Sequence, residues 1–111
     1  MNLDTIFPDL SALKRALAKL VHKDLSNNER LRHIEPHFDS SCDVFYWSAQ
    51  NVEQQNSVAY LPMEHAKDLD FELIRRVQEK LSNYILIVAI VENTGNILYY
   101  QMTEGLNEIG I

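Results

Sequence analysis

YILIVAIVENTGNILYYQMTEG, Tyr84 to Gly105, is the stretch that decides the fold. From Tyr84 to Val91 the chain is apolar and rich in β-branched residues, with no polar alternation. Such a run fits a strand buried on both faces at the centre of a sheet. Glu92-Asn93-Thr94-Gly95-Asn96 then reads as a tight acidic turn. Gly95 supplies the positive φ that short hairpin loops need, and Asn93 and Asn96 tolerate it. A second strand is expected over residues 97–103, less enclosed because Gln101 and Thr103 are polar.

Upstream of this hairpin, a helix is predicted over residues 70–81. Asp70 is its cap, Phe71, Ile74, Val77 and Leu81 its buried stripe, and Arg75, Arg76, Glu79 and Lys80 its wet face. Strands are predicted over 43–49, where Val44, Phe45, Tyr46 and Trp47 follow one another, and over 57–61. A polar loop from Gln50 to Asn56 joins them and Pro62 ends the second. The first helix is expected over 8–25, opened by Pro8 and capped by Asp9 or Ser11. Leu10, Leu13, Leu17, Leu20, Val21 and Leu25 recur in it at helical spacing, with Lys14, Arg15, Lys19 and Lys23 on the other face. Residues 29–42 carry no clear period. Helix, apolar strand, turn and strand together give a layered α/β (α+β) arrangement, one domain over 1–111.

Composition bounds the function. The net charge of −6 argues against a free-standing nucleic-acid binder, which would show a basic balance. A single cysteine, Cys42, excludes an internal disulfide and fits a reducing compartment. No apolar run reaches membrane-spanning length and no signal-peptide pattern opens the chain, so a soluble intracellular protein is expected.

Three local features carry possible chemistry. His33, Glu35 and His37 lie two apart, so a strand would turn all three to one face as a metal site; Pro36 and the lack of a fourth ligand favour surface histidines instead. Tyr46 and Trp47 offer stacking faces for RNA bases, against the stronger expectation of a core or interface role. The lysine-rich helix face offers contacts to RNA phosphates, against that of a solvated face. There is no P-loop, dinucleotide fingerprint or zinc spacing, and no cofactor is expected.

The sequence from Val88 to Gly105, VAIVENTGNILYYQMTEG, resembles the C-terminal strand, acidic loop and strand of the tRNA-splicing endonuclease family, and most of all its small non-catalytic subunit. Glu92, Gly95, Tyr99, Tyr100, Glu104 and Gly105 carry the likeness. The resemblance implies a mixed sheet flanked by two helices, of the endonuclease C-terminal type. It implies a non-catalytic structural subunit that pairs with catalytic and structural subunits and meets precursor tRNA through the complex, with a homodimer possible in isolation. The interface it implies is Glu92, Asn93, Ile97, Leu98, Tyr99, Tyr100 and Met102, with the last strand docking and the acidic loop entering a basic groove on a neighbour. Asn93 stands where more acidic relatives carry Asp. The family's chemistry uses Tyr, His and Lys without metal. Here the Gly-bearing catalytic segment is missing, which leaves Tyr60, His65 and Lys80 as the alternative: a degenerate triad in an autonomous, homodimeric RNA endonuclease. The resemblance places the protein in the nucleus, or on the cytoplasmic face of the mitochondrial outer membrane.

Overall fold

A computed structural model of the chain describes residues 3–65 and 69–102. Thr103, Glu104 and Gly105 lie outside them. The elements in order are α1 (Leu3–Ile6), α2 (Ala12–Ser26), β1 (Leu31–Asp39), β2 (Val44–Asn51), β3 (Asn56–Met63), α3 (Phe71–Lys80), β4 (Ile85–Val91) and β5 (Ile97–Met102). The strands form one five-stranded sheet in chain order, antiparallel except for the parallel pair β3 and β4. The mixed α+β fold with two main helices is the one expected. A parallel pair cannot be joined by a hairpin, so α3 provides the crossover between β3 and β4.

The two long helices cover opposite faces of the sheet. On one face α2 packs Leu17, Ala18, Val21 and Leu25 over Phe45, Trp47, Ala49, Val58, Tyr60, Ala89 and Val91. On the other, α3 packs Ile74 and Val77 over Val44, Ala59, Leu61, Leu86, Val88, Ile90 and Met102. Consecutive residues of β4 alternate between these two cores, which is why the run needs no polar side. It is an interior strand, second from the edge rather than central, because β5 follows it. Trp47 is the anchor of the first core: it is 1% exposed, its Nε1 donates to the Ala18 carbonyl at 2.9 Å, and its ring packs on His22.

Several local expectations change. The first long helix starts at Ala12, not residue 8. Ser11 is extended and its side chain accepts from the Lys14 amide, which caps the helix there; Pro8 stands in the preceding turn. Leu13 and Leu20 are exposed rather than buried, because the inward stripe is set by Leu17, Ala18, Val21 and Leu25. In α3 Asp70 caps as expected, accepting from the amides of Glu72 and Leu73, but Phe71 is half exposed at the first turn. The unreadable segment after Glu29 holds β1. The loop over 50–56 contracts to a four-residue turn: Asn51 Oδ1 accepts from the amides of Glu53 and Gln54, and Gln55 takes positive φ. Pro62 does not end β3, which runs to Met63. Ladder pairing with β2 stops at Tyr60, so at Pro62 the strand has β4 on one side only.

Truncating the anchor tests this packing. Trp47→Ala is expected to lower unfolding free energy by about 3–5 kcal/mol, read by chemical denaturation, because it removes the largest core side chain and its bond to α2. Leu13→Ala, on the exposed side of α2, should stay within roughly 0.5 kcal/mol.

Candidate functional site

Among the described residues β5 has β4 on one side and no strand on the other. Its register against β4 runs from Ile97↔Val91 to Met102↔Leu86. Alternation sends Ile97 and Tyr99 toward the α2 face, and Leu98, Tyr100 and Met102 toward the α3 face. Leu98 is 40% exposed and Tyr99 38%, whereas Met102 is 4% exposed and belongs to the α3 core. Met102 therefore offers a neighbour its backbone, not its side chain. Ile97 and Tyr100 are half-buried. Glu92 and Asn93 stand exposed in the preceding turn, which is closed by the Glu92 amide donating to the Asn96 carbonyl at 2.8 Å. Gly95 has φ 91°, as expected; neither Asn93 nor Asn96 takes positive φ.

Tyr99 is tied into its own chain. Its hydroxyl donates to Asp24 Oδ2 on α2, and its ring meets Tyr60 edge-on at 5.8 Å. Burial and the bond to Asp24 push its pKa far above the usual tyrosine value, so the phenol stays neutral. A carboxylate at this position would face Asp24, so Leu98 is the cleaner probe of the edge. Sequence reasoning missed Asp24, which has no local signal for a partner 75 positions away.

The opposite edge is built differently. In β1, His33 takes φ 57° and the register slips between Arg32 and Glu35, a bulge; Pro36 follows. A bulge and a proline both blunt an edge against further strands. Among the described residues β5 has neither device.

The other sequence-derived sites come apart. Tyr60 points into the α2 core and is 7% exposed, while Lys80 lies on α3, across the sheet, held by Asp39 and Ser41. His65 sits 3.5 Å from neighbouring Glu64. The three do not converge. His33 and Glu35 border a shallow polar cleft of about 200 Å³ with Ser48, Ser57 and Tyr84. His37 is outside it, bonded at 2.7 Å to Ser48 Oγ and stacked on Tyr46. Among the described residues no group of three or more His, Cys, Asp or Glu is placed to hold a metal. Trp47 is buried and Tyr46 half-buried under His37, so neither is a stacking platform. In the basic helix face, Lys14 is bound to Asp43 at 2.8 Å and Arg15 donates to the Leu10 carbonyl. No helix among the described residues is long and apolar enough to cross a membrane.

Residues 20–109 match the family described as Sen15 protein. The chain belongs to the Sen15 family. It is therefore a tRNA-splicing endonuclease subunit and a member of that complex. A comparison with curated proteins found no match. The Sen15 match starts within α2 and takes in every strand, both edges of the sheet and the acidic turn.

One charged contact ties α3 to the β1–β2 turn of this Sen15 chain. Asp39 accepts from Ser41 and from Lys80, at 2.9 Å for Lys80, and these bonds, Ser41's first, hold its pKa down at about 2. The folded value lies below the unfolded one of 3.8. Its contribution to stability is thus present above about pH 4 and lost as pH falls toward 2. Ser41→Ala should raise the Asp39 pKa in a carboxyl NMR titration, and its stability gap from the wild type should narrow across that window.

Proposed function

We propose that this Sen15 chain is a non-catalytic structural subunit that docks a catalytic subunit of the endonuclease along the open edge of β5, for intron excision from precursor tRNA. The observation that carries the reading is the asymmetry of the two sheet edges. β1 is blunted by a bulge and Pro36, while β5 presents an uninterrupted backbone edge flanked by Leu98 and Tyr99. Strand addition to such an edge takes affinity from main-chain hydrogen bonds and specificity from alternate side chains. Exposed Leu20 lies one turn before Asp24, the α2 residue that reaches Tyr99, so the same flank of the domain adds apolar surface. Glu92 and Asn93 project from the turn beside the edge toward a basic groove on the neighbour, with one carboxylate doing the steering. The interface residues are Glu92, Asn93, Ile97, Leu98, Tyr99 and Tyr100, with Met102 contributing backbone. Separation of Tyr60 from Lys80 by the sheet favours a partner-borne active site over an autonomous endonuclease. In isolation the same edge fits a second copy of the chain. The place of action under this reading is the nucleus, with the cytoplasmic face of the mitochondrial outer membrane as the alternative; imaging of the tagged chain separates them.

Co-expression with the catalytic and large subunits tests the reading. The tagged chain should retain a catalytic subunit, and precursor tRNA should be cut by the complex but not by the chain alone. Leu98→Arg should reduce retention by roughly ten-fold or more while the isolated domain keeps its wild-type unfolding midpoint. Cleavage by the chain alone, or unchanged retention with Leu98→Arg, would overturn it.

A further inference from the structure

The charge of the chain is segregated. Residues 14–32 hold six of the ten Lys and Arg residues and two of the sixteen Asp and Glu residues, a net of +4 against −10 for everything else. Within that segment Lys14 and Arg15 are engaged near the start of α2, as described above. Lys19 and Lys23 are not. Both are exposed and, among the described residues, neither has a carboxylate partner.

Their direction follows from the helix. Ala18, Val21 and Leu25 face the sheet; His22 marks the flank toward Trp47 on β2, and Asp24 the flank toward Tyr99 on β5. At 100° per residue Lys19 and Lys23 fall between those flanks on the far side, pointing away from the sheet. They stand one turn apart, with about 6 Å between their Cβ atoms. Past the helix end Arg30 is exposed just before β1, sharing Glu53 at 3.2 Å; Arg32 is exposed too, but follows the inward Leu31 and so turns to the other face of the sheet. The cations of α3 contrast with this: Arg75 is held by Glu72 and Glu79, and Lys80 by Asp39.

We propose that Lys19 and Lys23 on the outer face of α2, with Arg30 beside the helix end, contact the phosphate backbone of the RNA substrate held by the assembled complex. The proposal rests on the docking reading, under which a partner along β5 leaves this outer face open. A chain with net charge −6 is a poor binder of RNA alone. Held in place by a partner, it needs only a local cationic strip, because phosphate contacts are made residue by residue.

The test compares complexes containing wild-type, Lys19→Glu/Lys23→Glu, Lys19→Gln/Lys23→Gln or Arg76→Glu chains, assayed on precursor tRNA across a salt series. Arg76 is an exposed α3 residue and reports a general charge effect. The Glu pair should raise KM roughly ten-fold near 0.1 M salt, and the salt slope of log KM should fall by about 1.5–2 for two lost phosphate contacts. The Gln pair should move both in the same direction by less, and Arg76→Glu should move neither. Unchanged KM and slope in the Lys variants overturns the proposal, as does an equal effect from Arg76→Glu. Loss of the Lys variants from the complex overturns it too, since the face would then bind an acidic protein surface. If the wild-type chain is not retained at all, the docking reading fails first and takes this proposal with it.

Discussion

β4 has no side that tolerates water, and the rest of the domain follows from that. Its seven residues run Ile-Leu-Ile-Val-Ala-Ile-Val, each side chain worth about 1.5–3 kcal/mol when fully buried, less for the alanine. Both faces of the strand must be covered, and strands must lie on both sides of it. The parallel pairing with β3 answers part of this, because its crossover carries α3 onto one face. The helix before the sheet, α2, covers the other. Trp47 locks that second layer by joining buried area with a directional bond to the Ala18 carbonyl.

The same arrangement leaves two edges, and they are treated in opposite ways. The β1 edge bends at His33 and carries Pro36, so another strand would find an irregular ladder. The β5 edge is regular for its described length. Its side chains are divided between inward duty and exposure: Tyr99 braces α2 through Asp24, Met102 fills the α3 core, and Leu98 remains outside. Fixing Tyr99 from within limits the rotamer freedom that a partner strand would otherwise have to freeze, a form of preorganisation.

Both helices also reach the same hairpin turn. Lys14 from α2 bonds Asp43, and Lys80 from α3 bonds Asp39 and Ser41. The turn between β1 and β2 is therefore pinned from both layers, and the ionic contacts that do this are partly exposed, so each is modest in energy. Their effect is to use up cations that would otherwise add to the surface field. Among the described residues, what is left on α2 without a carboxylate partner is a short strip at Lys19 and Lys23, set apart from the acidic remainder.

Local physics was enough for much of this. The apolar run of β4, the cap at Asp70, and the positive φ at Gly95 depend only on neighbours in the chain, and the sequence by itself determined them, together with the layered α/β class and the family likeness; for α2 it offered Asp9 or Ser11, and the fold chose Ser11. Contacts between distant segments decided the rest. Which leucines of α2 are buried depends on how the helix sits on the sheet, so Leu13 and Leu20 share the period yet stay exposed. The bulge at His33 exists only against β2, and without it β1 reads as a shapeless polar segment. Tyr99 looked like a free docking side chain until Asp24, far away in the chain, was brought under it. Tyr60 and Lys80 read as possible catalytic partners until the sheet was folded between them. Side-chain period and turn chemistry are properties of a few adjacent residues, whereas burial, edge character and site assembly are set by partners that only the folded chain brings together.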